Sequence, residues 1–159
     1  MKYLLPAGVK GRGIIAFSWQ ATALFAITAI LAAITPSALR VPALTVALVL
    51  FAIGMIIFLV AYIVAIGRSR YAVISVVGVY FMSGGVAPKE VRVSLLGALG
   101  VQIVVGVATA AVRPYTSLAF GVLVPLFGLA MCGLWSATSG VFPARGETPV
   151  PVSDDEEAG

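Results

Sequence analysis

Four long apolar stretches, at residues 14–35, 43–66, 93–112 and 117–137, divide the chain, and none of its ten Lys and Arg or six Asp and Glu residues falls inside them. Each stretch holds about 20 residues, and a helix of about 20 residues rising 1.5 Å each crosses a hydrocarbon core of about 30 Å. In lipid such a stretch is helical, because an open strand leaves backbone groups unpaired. The pattern predicts an all-α polytopic membrane protein with four transmembrane helices. Punctuation residues set the ends. The first span begins near Gly13 and ends at Pro36, and the second runs from Pro42 to Gly67. The third follows Pro88, Lys89, Glu90 and Arg92 and stops at Arg113–Pro114, and Thr116 and Ser117 are placed to cap the fourth, which runs to about Gly140.

Residues 71–87 are also apolar and uncharged, but Gly84–Gly85 breaks their end and β-branched and aromatic residues dominate. They are read as a cytoplasmic interfacial or re-entrant segment between helices 2 and 3, with a fifth span as the alternative. The organisation is then a cytoplasmic N-terminal segment (1–13), a transmembrane domain (14–141) and an acidic tail (142–159). Pro143, Pro149 and Pro151 precede Ser153, Asp154, Asp155, Glu156 and Glu157 in that tail, a composition that predicts disorder.

Lys and Arg residues fix the expected orientation. With four spans, the N-terminal segment, the second loop and the tail carry Lys2, Lys10, Arg12, Arg68, Arg70, Lys89, Arg92 and Arg145, and the other two loops carry only Arg40 and Arg113. Both termini are therefore expected in the cytoplasm of a bacterial plasma (inner) membrane protein. No small-residue cleavage site follows the first apolar run, which is expected to stay as an anchor.

Composition narrows the chemistry. The chain is 61% apolar and 10% charged, against about 25% charged in soluble domains. It has no histidine and one cysteine, Cys132, which argues against His-ligated metal or haem, His-dependent nucleophilic catalysis and a dithiol redox pair. Phosphate-loop and dinucleotide motifs are missing, so no cofactor and no catalytic or metal-ligating residue is predicted. The basic residues are single flanking charges without aromatic platforms, so no nucleic-acid partner is predicted. Arg68 and Arg70 are candidates for contact with anionic lipid headgroups.

Within the spans, polar and small residues mark helix packing. Ser94, Ala98, Gln102, Gly106 and Ala110 recur every fourth residue, and Gln102 sits near mid-span where only another helix can satisfy its amide. Gln20, with Ser18, Thr22 and Ala26 near it along the same face, is the second such amide. Ala47, Gly54 and Ala61 repeat at seven in the second span. Pro125 is expected to kink the fourth span, with Gly121, Gly128, Cys132 and Ser136 packing around it. Trp19 and Trp135 are read as interfacial anchors.

Gly67-Arg68-Ser69-Arg70, Ala87-Pro88, Val91-Arg92, Ala111-Val112-Arg113-Pro114, the run Leu118 to Pro125, Gly133-Leu134-Trp135 and Phe142-Pro143 together resemble a group of small four-helix integral membrane proteins of actinobacteria, over residues 60–145. The resemblance implies a bacterial plasma membrane and brings no catalytic residue with it. The expected role is a non-enzymatic accessory or scaffold subunit of a bacterial inner-membrane complex, respiratory or cell-envelope. Its partners are then the lipid bilayer and other membrane subunits or further copies of itself. The alternative is a small oligomeric transporter or channel lined by Gln20, Gln102 and the Pro125 kink.

Overall fold

α1 (Arg12–Ile34) and α2 (Pro36–Arg68) meet at one non-helical residue, Thr35. They belong to a computed structural model that describes residues 11–72, 74–112 and 114–142. Almost all of the N-terminal segment, and the acidic tail beyond Phe142, lie outside the described residues. A loop is predicted over residues 36–42, but α2 already begins at Pro36. Proline suits a helix's first turn, where its missing N–H leaves nothing unpaired and its fixed φ is already helical. Pro42 then lies inside α2.

The remaining elements are α3 (Val76–Phe81), α4 (Lys89–Val112), a 3₁₀ helix (Ser117–Leu123) and α5 (Pro125–Ser139), with no strand among the described residues. α3 has six residues and rises only about 9 Å, so residues 71–87 contain no fifth span. Ser75 opens it by accepting the Gly78 N–H on its hydroxyl at 2.9 Å, and Met82 ends it in the left-handed region at φ 51°. Gly84 and Gly85, at φ 73° and 77°, complete the turn toward α4. Four helical segments, Arg12–Ile34, Leu39–Arg68, Lys89–Val112 and Ser117–Ser139, are long and apolar enough to cross a membrane.

The fourth segment is not one continuous α-helix. Its first part is 3₁₀, and Pro125 occupies the first turn of α5. Leu118, Gly121 and Val124 are buried at intervals of three, the period of a 3₁₀ helix, whose residues three apart eclipse. Proline cannot donate the bond that would carry an α-helix across residue 125. The predicted kink is thus a change of helix type. The predicted cap is not made: no side-chain cap bond forms at the start of the 3₁₀ helix, and the Ser117 hydroxyl is buried without a partner.

The four spans form a ring in the order α1, α2, fourth segment, α4. Ala32 packs with Ala43 at one end of α1 and α2, and Ala21 joins Leu50 farther along, so this pair is antiparallel. α2 and α5 run parallel: Gly54 lies against Phe127, Ala61 packs with Ala137, and Arg68 reaches Gly140. α1 and α4 are also parallel, since Trp19 bonds Ser94 and Thr22 bonds Gln102. α2 and α4 therefore stand on a diagonal, and the chain between them needs length to pass α5. α3 packs against α5 on the way. Outside the ring, Ile27, Ile56, Ile63 and Val104 are exposed. In a membrane that surface faces lipid, whereas in water so large an apolar surface would drive association.

Candidate functional site

Gln102 is 0% exposed and lies ten residues past Arg92, about 15 Å along the helix. Its amide oxygen accepts the Gly128 backbone N–H at 3.1 Å, and its amide nitrogen donates to the Thr22 hydroxyl at 2.6 Å. The Thr22 hydroxyl in turn donates to the Ser18 carbonyl at 2.7 Å. All three bonds point the same way, from α5 through α4 into α1, and bonds aligned in series polarise one another. A backbone N–H can only donate, so the Gln102 oxygen must face Gly128 and its nitrogen must face Thr22. The chain of bonds is buried and carries no formal charge.

The surrounding backbones approach closely enough to require glycine at three points. A Cβ on Gly128 would lie 2.6 Å from Gln102 Oε1, which explains why the amide reaches this N–H at all. A Cβ on Gly106 would lie 2.7 Å from the Gly121 carbonyl oxygen, so α4 and the 3₁₀ helix touch backbone to backbone. A Cβ on Gly54 would lie 2.7 Å from Phe127 Cα, which seats α2 on α5. Ala47 and Ala61, seven residues on either side, are 3% and 0% exposed along the same seam. Pro125 is half-buried and borders an open groove of about 430 Å³ whose other walls include Phe81, Leu99 and Leu126. The walls of that groove are apolar.

At the end where α2 finishes, Arg68 donates to the carbonyls of Ala137 at 2.6 Å and Gly140 at 3.0 Å, and its guanidinium lies 5.4 Å from the Phe142 ring centroid. A cation on the last carbonyls of a helix satisfies unpaired acceptors and complements the helix dipole. Tyr80 of α3 donates to the Phe58 carbonyl at 3.0 Å and stacks on the Phe58 ring at 4.4 Å between centroids. Phe58 lies ten residues before Arg68, or about 15 Å along the axis, so α3 dips well below this end of the bundle. Burial, with a smaller contribution from Tyr62, raises the Tyr80 pKa. An open slot of about 190 Å³ remains between α2 and α3, lined by Tyr62, Ala65, Ser69, Val79 and Tyr80.

The structure brings Gln102, Gly106, Gly128 and Thr22 together but leaves Gln20 out. Gln20 is exposed on the outer face of α1. Successive helical residues turn by about 100°, so Ser18 and Thr22 share the inner face and Gln20, halfway between them, points outward. Thr22 is the partner that polarity alone missed, and its four-residue spacing from the buried Ser18 was the available signal. Arg68 is turned into α5 rather than toward headgroups, whereas Arg70 is exposed. Trp135 is only 2% exposed and packs with Ile15, Leu95 and Cys132, so it is not an interfacial anchor. The Trp19 indole donates to the Ser94 hydroxyl at 2.9 Å. Among the described residues, no three His, Cys, Asp or Glu side chains gather in a way that could hold a metal ion.

An all-α ring of four segments, each long and apolar enough to cross a membrane, fits a multi-pass membrane protein in a lipid environment. No protein-family model matches the chain, and no curated protein and no solved structure matches it.

Proposed function

We propose that the chain is a non-enzymatic accessory or scaffold subunit of a bacterial inner-membrane assembly, with both termini in the cytoplasm. One observation carries the reading: the most polar side chain inside the bundle, Gln102, is fully buried with both amide heteroatoms engaged by helices of the same chain. A ligand or ion entering there would have to break bonds that tie three helices together. Acidic, basic and histidine side chains usually mark proton relays and ion paths in membranes, and the four long apolar stretches hold no Asp, Glu, Lys, Arg or His. The orientation rests on Arg12, Arg68, Arg70, Lys89 and Arg92, which flank one end of the ring, against Arg40 near the other. The bacterial membrane rests on the resemblance of residues 60–145 to small actinobacterial membrane proteins.

Extraction from native membranes into mild detergent, followed by mass measurement of the intact assembly, tests the role. The expected result is a stoichiometric assembly with other subunits and no solute flux from purified protein in liposomes. A lone monomer under several gentle conditions contradicts the reading. So does a flux that Gln102→Leu abolishes while the protein still inserts.

A further inference from the structure

The slot between α2 and α3 occupies the last turns of α2. Tyr62, Ile66 and Ser69 line it from that side, and Ile74, Val76 and Val79 face them from the α3 side. Tyr62 lies six residues before Arg68, so the slot reaches about 9 Å below the end of the helix. At that depth an occupant comes from the bilayer and not from water. Tyr62, Ile66 and Val76 are 46%, 50% and 63% exposed, so the described chain leaves these walls uncovered. The slot holds about 190 Å³, and an apolar cavity of about 150 Å³ accepts a body the size of benzene. A helix with its side chains is about 10 Å across. The space therefore suits a length of acyl chain and is too small for another helix.

Charge at the head of the slot is the second, independent observation. Arg70 follows the lining residue Ser69 in a turn held by the Tyr71 and Ala72 N–H groups on the Arg68 carbonyl, at 3.0 and 3.1 Å. It is exposed and makes no hydrogen bond or ion pair with a described residue. Arg68 differs, because its guanidinium is already committed to the Ala137 and Gly140 carbonyls. Glu90 is the only acid among the described residues, so the cations at this end of the bundle outnumber their counter-charges. Tyr71, beside Arg70, is 80% exposed, and tyrosine favours the level where hydrocarbon gives way to headgroups.

We infer that the slot is a binding site for one anionic phospholipid, with an acyl chain between α2 and α3 and the phosphate on Arg70. A phospholipid joins an apolar chain to an anionic phosphate through a few bonds. The site joins an apolar slot to a free guanidinium across one residue. The planar fork of an arginine meets two phosphate oxygens at once. A void beside apolar walls forfeits their dispersion contacts, and the acyl chain restores them while bridging α2 to α3. The inference goes beyond the accessory role and does not depend on it: the site needs only a bilayer around the chain, whether or not other subunits are present.

Photolabelling of the full chain in phosphatidylcholine vesicles tests the site. The probe is phosphatidylglycerol with a photoreactive group on its acyl chain, present as a minor component. Labelling should concentrate on residues 62–80 and should be displaced by unlabelled phosphatidylglycerol but not by inorganic phosphate. Arg70→Gln should weaken it about three- to ten-fold, as expected for one lost cation at the surface, and Arg70→Lys should keep most of it. Arg92→Gln removes a charge from α4, across the diagonal of the ring, and should leave labelling unchanged. Ile66→Trp should fill the slot and abolish labelling. Equal labelling of all lipid-facing helices, or equal labelling by a phosphatidylcholine probe, overturns the inference. So does labelling that survives Arg70→Gln undiminished or falls as much with Arg92→Gln. Displacement by inorganic phosphate overturns it in favour of a soluble anion. A photoreactive side chain in place of Ile66 that captures a protein and no lipid in native membranes overturns it in favour of a protein partner.

Discussion

With its oxygen on Gly128 and its nitrogen on Thr22, Gln102 holds three helices through two bonds. Interhelical hydrogen bonds in membranes average about 0.6 kcal/mol and reach about 1.7. Gln102→Leu should therefore lower stability by about 1–3 kcal/mol, read as an earlier unfolding midpoint in mixed micelles. Gly128→Ala and Gly106→Ala should each cost about 1–3 kcal/mol, because a methyl group there meets Gln102 Oε1 or the Gly121 carbonyl. Gly100→Ala is the control. Nothing lies within 4 Å of its Cβ position, so it should be neutral or slightly stabilising. The importance of Gln102 was legible in the sequence because a lone amide midway between flanking arginines has no water to reach. The direction of Gln20 was missed because polarity was read without the helical period. Ser18 and Thr22 lie four apart and share a face, and any residue halfway between them points away.

At the scale of elements, each span existed in the sequence as an uncharged run, since the bilayer leaves little choice of length. Which kind of helix fills a run is a finer matter. Pro125 announced a break in the fourth span, yet only the three-residue interval of Leu118, Gly121 and Val124 identifies the 3₁₀ form. The role of Arg68 was hidden for a related reason. A loop arginine reads as a surface charge until the fold brings the last turn of α5 beside it. Arg68→Ala should fray that turn, seen as faster hydrogen exchange at Thr138 to Val141. Arg68→Lys should restore it only partly, because an ammonium lacks the planar fork that serves two carbonyls at once. Exchange unchanged by Arg68→Ala would show that helix packing alone holds the end of α5.

For the whole molecule, the diagonal placement of α2 and α4 explains why one connection is long and the others are short. Neighbouring antiparallel helices close with a few residues, as α1 and α2 do around Thr35. A diagonal step must pass another helix, and α3 fills that step by docking Tyr80 against Phe58 and Gly133. The sequence marked residues 71–87 as apolar without saying which helices they join, because connectivity around a ring is set by packing partners that periodicity does not name. Tyr80→Phe keeps the stacked ring but removes the bond to the Phe58 carbonyl, and should cost about 0.5–1.5 kcal/mol by the same unfolding measurement. The account as a whole requires that no water path run through the ring beside Gln102.

The single cysteine is a natural probe of that requirement. Cys132 is 0% exposed and lies one turn from Gly128 on the same helix. Unmutated protein in intact vesicles, treated from both sides with a water-soluble maleimide, should leave Cys132 unlabelled until the bundle is denatured. Rapid labelling of the folded protein would place water at the heart of the bundle and contradict a sealed structural core.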